Sequence, residues 1–126
     1  MPKSILSAPS GPEPLGPYSI ATEANGFVFL SGAVPIDPAT GTGVDGGIDE
    51  QTHQVMKNIG AILGDVGLTF DDIVKTTIFL ADIADFSAVN AVYGEYVGVS
   101  KPARSTVQAG ALPGGFSVEI ECIAAR

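Results

Sequence analysis

With 126 residues, 45% of them hydrophobic and only 16% charged, the chain has the size of one domain, spanning 1–126, and enough apolar content to fill a core. Its net charge of −8 and pI near 4.2 repel phosphate backbones and anionic lipid, so nucleic-acid and membrane partners held by charge are not expected. One cysteine, Cys122, excludes an intramolecular disulfide, and one histidine, His53, excludes an ordinary His/Cys metal site.

Met1 to Pro14 shows no apolar signal core, and no run approaches the ~18 apolar residues of a membrane span. A cytoplasmic location is the expectation. Residues 7–17 hold four prolines and can be neither helix nor central strand. Strand-like runs follow at Tyr18–Glu23 and Phe27–Ser31, joined through Asn25-Gly26, a pair that tolerates the positive φ of a tight hairpin turn. Ser31-Gly32 closes the second run, where a glycine kinks a strand or lets a ligand approach the backbone. Pro35 to Gly47 is turn-rich and reads as an exposed loop.

From Asp49 the period becomes helical. Thr52, Val55, Met56, Ile59, Ile62, Leu63 and Val66 form one stripe, with Gly67 as the stop. Ile73–Leu80 is β-branched and apolar, with Lys75 its one charge, and reads as a central strand. Asp85 is placed to cap a second helix bearing Phe86, Val89, Val92, Tyr93, Tyr96 and Val97. Final strands are expected at Ser105–Ala109 and Phe116–Ala124, on either side of a Leu-Pro-Gly-Gly turn.

The predicted order, β-β-α-β-α-β-β, is an α+β layer with two helices on one face of a sheet. The other face, carrying Thr77, Phe79 and Ile123, then needs cover, and self-association is the simplest source. Cys122 alternates with Val118 and Ile120 and reads as a buried small hydrophobe. Glu119 and Glu121 interrupt the same strand on its opposite face, about 7 Å apart. Arg104 stands alone after a proline. A guanidinium that grips a carboxylate and a carboxyl group that moves a proton make a plausible small-acid site; a structural ion pair is the alternative. Asp71-Asp72 reads as a solvated turn and His53 as a partly exposed helix residue.

Taken in order, Gly16-Pro17-Tyr18-Ser19, Ser31-Gly32, Val74-Lys75-Thr76-Thr77, Phe86-Ser-Ala-Val-Asn90-Ala-Val-Tyr93, Pro102-Ala-Arg104-Ser-Thr-Val107 and Val118-Glu-Ile-Glu121 resemble the RidA (YjgF/YER057c/UK114) family of enamine and imine deaminases. The resemblance runs from about Pro17 to the C-terminus. It implies a chorismate-mutase-like fold, with a mixed sheet, assembled as a homotrimer whose active sites lie between subunits. It also implies hydrolysis of 2-aminoacrylate and related 2-amino-2-enoic or 2-imino acids to 2-oxo acids and ammonia, without metal or cofactor.

By the same resemblance, Glu119 is the catalytic glutamate and Arg104 the carboxylate-binding arginine. Tyr18 and Ser31 line the pocket, and Gly32 and Thr106 offer backbone N–H groups to the substrate. Glu121 is expected to be structural, pairing with Lys75 or across an interface, and Asn90 to satisfy buried backbone. The sequence departs from the family at Ala33, where glutamine is frequent, and at Thr106, where many members carry cysteine. Three other readings stand beside the leading one: a deaminase for a larger acid such as 2-aminomuconate, a non-catalytic small-acid-binding trimer, and the endoribonuclease label long attached to the family, which the acidic pI opposes.

Overall fold

The computed structural model describes residues 2–126. Strands β1 (Ser4–Leu6), β2 (Ala21–Ala24) and β3 (Phe27–Ala33) form an antiparallel meander, and a short β4–β5 hairpin (Ile36–Asp37, Thr42–Gly43) follows. Helix α1 (Ile48–Asp65), β6 (Ile73–Leu80), α2 (Phe86–Val97), β7 (Ala103–Gln108) and β8 (Val118–Ala125) complete the chain. The main sheet has the order β1-β2-β3-β8-β6-β7 and is antiparallel except between β6 and β7. This is the expected α+β arrangement: both helices cover one face of a mixed sheet.

Local chemistry accounts for the element limits. Gly47 donates its N–H to Glu50 Oε1 at 3.0 Å at the start of α1, and Gly67 at φ +82° ends the helix, a conformation that costs a glycine little. Every member of the stripe from Thr52 to Val66 is buried. In β8, Val118, Ile120, Cys122 and Ala124 point under the helices, joined there by Ile78 and Leu80 of β6 and Val28 and Leu30 of β3.

Four expectations need correction. The short β1 and the β4–β5 hairpin were not foreseen, because strands this brief show no alternation. Tyr18 precedes β2 in a turn, its N–H donating to the Gly16 carbonyl at 2.9 Å. Asp85 stands at the N-cap of α2 but makes no capping bond; Asp82 caps the preceding 3-10 turn by accepting from Ala84 N–H at 2.9 Å. The asparagine that satisfies buried backbone is Asn58, not Asn90. Its amide donates to the carbonyls of Ile36 at 2.8 Å and Val34 at 3.1 Å, tying the segment after β3 to α1.

The face away from the helices is open. Phe27, Phe29 and Val107 are exposed there, with Thr77, Phe79 and Ile123 only half-covered. Nothing within the described residues covers this apolar surface, as the count of two helices implied.

Candidate active site

The site begins at an irregularity in β3. Leu30 pairs with Cys122 and Ala33 with Ile120, so Ser31 and Gly32 together face the single position Glu121. Such a bulge bends the strand and frees its backbone from the ladder. The Ser31 hydroxyl donates to the Ser19 carbonyl at 2.6 Å, fixing the turn that carries Tyr18 beside the bulge.

Glu119 lies against this bend. A Cβ at residue 32 would overlap the Glu119 carboxylate outright and stand 2.8 Å from its Cδ, so only glycine admits the carboxylate here. Burial raises the Glu119 pKa above the ordinary carboxylate value, and the negative charge of Glu121 pushes it the same way. Glu119, Gly32, Ser31 and Tyr18 border one cleft of ≈ 700 Å³. Leu15, Val34, Ile36 and Phe116 supply its apolar walls.

Arg104 is elsewhere. In parallel register with Thr76, it stands on the helix-covered side of β7, whereas Glu119 pairs with Phe79 on the open face two strands away. One protomer therefore does not bring the arginine to the carboxylate. The Arg104 guanidinium lies 5.1 Å from the Tyr93 ring centroid and 5.5 Å from that of Phe86. These aromatics, seven residues apart on one face of α2, hold a cation without neutralising it. Phe86 is 40% exposed where it forms this wall. Tyr93 is fixed in turn by a 2.7 Å hydrogen bond between its hydroxyl and that of Thr76.

Among the described residues the ion pairs are Arg126–Glu23 and His53–Glu95, so the alternative reading of Arg104 as half of a structural pair within the chain is not met. Glu121 forms no pair with Lys75, whose ammonium instead donates to the Ser105 hydroxyl at 2.9 Å. Thr106 lies beside Arg104 at the sheet edge, its Oγ1 buried without a partner. Ala109 N–H donates to the Leu80 carbonyl on β6; by strand alternation the N–H groups of Arg104, Thr106 and Gln108 point out from the open edge. The edge thus presents a backbone donor beside an unpaired guanidinium.

The remaining candidates fall into place as structural residues. Burial lifts the Cys122 thiol to about 12, which leaves it inert. His53 accepts or donates a 2.9 Å hydrogen bond with Tyr96 on the outer side of the helices. Asp72 accepts from Thr69 N–H at 2.8 Å in a closed turn, and the described residues hold no cluster suited to a metal ion. Ala33 is buried and does not border the main cleft; it faces a cavity of ≈ 40 Å³ beside Ile36 and Ile62. No described helix is long and apolar enough to cross a membrane.

The fold, two helices on one face of a mixed sheet, defines an α+β class. The profile of the Endoribonuclease L-PSP family matches residues 8–126, and the chain belongs to this family, also called YjgF/RidA. It is 49% identical to Reactive Intermediate Deaminase A, chloroplastic, of Arabidopsis thaliana, covering 97% of this chain and 65% of the plant protein. It is 43% identical to the 2-iminobutanoate/2-iminopropanoate deaminase of Mus musculus, covering 98% of this chain and 92% of the mouse protein. The crystal structure of the Rid-family protein YyfA from Yersinia pestis superposes with a TM-score of 0.95 at 48% identity, covering 99% of this chain and 100% of that one.

Proposed function

We propose that the protein hydrolyses small 2-imino and enamine acids to 2-oxo acids and ammonia. Glu119 is its proton-transfer group, and Arg104 of a neighbouring subunit in a homotrimer is its carboxylate clamp. The observation that carries this reading is the Glu119 carboxyl group, half-buried and packed against Gly32 in an open cleft with its pKa raised. The names of the plant and mouse relatives support the same reaction class.

The chemistry follows from that placement. Water adds to the carbon of the protonated imine as ionised Glu119 takes one of the water's protons, giving a neutral tetrahedral carbinolamine. Glu119 returns that proton to nitrogen, the C–N bond breaks, and ammonia leaves as the hydroxyl gives its proton back to Glu119 and the carbon becomes a ketone. A carboxyl group with a raised pKa serves both transfers near neutrality better than an ordinary one. An enamine first takes a proton at carbon to become the same protonated imine. The substrate carboxylate meets a guanidinium that aromatic rings have positioned and no carboxylate has neutralised, and the Thr106 N–H at the strand edge adds a second donor.

The test couples a 2-aminoacrylate-generating dehydratase to a 2-oxo acid readout. Added protein should accelerate release. Glu119→Gln should lose about 10²–10⁴-fold in kcat, and Arg104→Ala should lose at least about tenfold in kcat/KM. Acceleration that survives either change removes that residue from the site. Tight 2-oxo acid binding without turnover would favour a small-acid-binding role instead.

A further inference from the structure

We infer that Thr76 and Tyr93 are positioning residues for Arg104: their hydroxyl pair, inside the helix–sheet core, sets the ring against which the guanidinium lies and so fixes the carboxylate clamp. The inference rests on the deaminase reading above and names the parts that hold its clamp in place. On the helix-facing side of β6, Thr76 alternates with Ile78 and Leu80 and is 1% exposed, the one polar residue of the three. Its hydroxyl meets that of Tyr93 on α2 at 2.7 Å. Burial raises the Tyr93 pKa, so the phenol stays protonated at neutral pH and the contact joins two neutral hydroxyls. Such a pair adds little stability over a valine and a phenylalanine of the same shape, since each hydroxyl gives up its water on burial. What the pair adds is direction: a satisfied buried hydrogen bond holds the Tyr93 ring at one place over the sheet.

That direction reaches Arg104. Thr76 and Arg104 are Cα partners in the parallel β6–β7 register, so Thr76, Tyr93 and Arg104 close a triangle across β6, α2 and β7. The guanidinium lies 5.1 Å from the Tyr93 ring centroid, and among the described residues no carboxylate pairs with it. The same side chain borders a cavity of ≈ 260 Å³ together with Tyr93, Val97 and Lys101. A long side chain beside open space spreads over its rotamers unless something holds it. Phe86 offers the second ring, but it is partly exposed and has no polar group to tie it to the sheet. Tyr93, buried and bonded to Thr76, is therefore the fixed ring.

The experiment measures pyruvate binding by calorimetry and imino acid turnover for the unaltered protein, Thr76→Val, Tyr93→Phe and the double variant. Each single change should raise the pyruvate Kd and the KM about three- to tenfold while kcat moves less than about twofold. A carboxylate contact made equally in the ground and transition states acts on KM alone. The double variant supplies the readout that a merely structural pair would not move. It replaces both hydroxyls by apolar groups of the same shape and should melt close to the unaltered protein. Its pyruvate binding and KM should nevertheless stay as weak as in the single variants. Single variants that bind pyruvate as the unaltered protein does, or a double variant whose binding recovers along with its stability, overturn the positioning role and leave the deaminase reading intact. An unaltered protein that neither binds pyruvate nor hydrolyses imino acids overturns both.

Discussion

Glu119 combines two properties that oppose each other in an ordinary carboxylate: it lies against backbone, and in the proposed reaction it must still ionise. Burial and Glu121 raise its pKa, so the native state holds this proton more tightly than the unfolded chain does. The stabilisation from that proton is fully present below the unfolded carboxylate pKa and is lost as pH rises through the higher folded value. Glu119→Gln, permanently neutral, should therefore melt at a higher temperature than the unaltered protein at neutral pH. The difference should vanish on acidification below about pH 4. Thermal melts of both proteins across this range measure it. A Glu119→Gln protein less stable at neutrality would show instead that a neighbouring cation holds the carboxylate ionised. Arg104 illustrates the complementary device. Its cation rests near the rings of Tyr93 and Phe86, which orient it without neutralising it, as the proposed carboxylate clamp requires.

At the scale of elements, the cleft depends on contacts distant from Glu119. The β3 bulge at Ser31-Gly32 and the β4–β5 hairpin would drift independently if nothing joined them to the helical layer. Asn58, buried at 2% exposure, makes that join by donating to the Val34 and Ile36 carbonyls while accepting from Gln54 at 2.9 Å. Asn58→Ala leaves two carbonyls without a donor and should destabilise by about 1–3 kcal/mol, measured by urea denaturation. Because Val34 and Ile36 also wall the cleft, the same variant should raise KM for 2-imino acids. The element pattern was largely legible in the sequence. The α1 stripe is buried throughout, β6 spans Ile73–Leu80 as read, and Glu119 and Glu121 share a face. Asn58 escaped notice because a polar residue within an apolar stripe looks like a break in the pattern until the strand behind it is known. Asn90 drew attention only through its place in a family motif.

At the scale of the whole molecule, the two halves of the proposed site lie on opposite faces of one sheet, and the open face is too apolar to stay wet. Cyclic association resolves both facts if the β7 edge of one subunit reaches the cleft of the next. Glu119→Gln and Arg104→Ala, each impaired alone, should then complement. Refolded together in equal amounts as trimers, about a quarter of the sites regain both residues by random assembly. Recovery of deaminase activity in the mixture, absent from the same proteins mixed without refolding, would establish a shared site. No recovery would mean that the site lies within one chain.

The sequence by itself determined what short-range chemistry controls: the helix periods, the glycine stops, the alternation that buries Cys122 and turns Glu119 the other way. It also left one sheet face without cover, since two amphipathic helices can shield only one side. Only the tertiary structure decided which strands are neighbours, and three consequences follow from that. Arg104 is separated from Glu119, Gly32 is pressed against the Glu119 carboxylate, and Phe116 is caught between Gly43 and Gly114. Each joins residues far apart in the chain through the register of a sheet or the bend of a bulge. Side-chain periodicity is local and carries no record of such pairings.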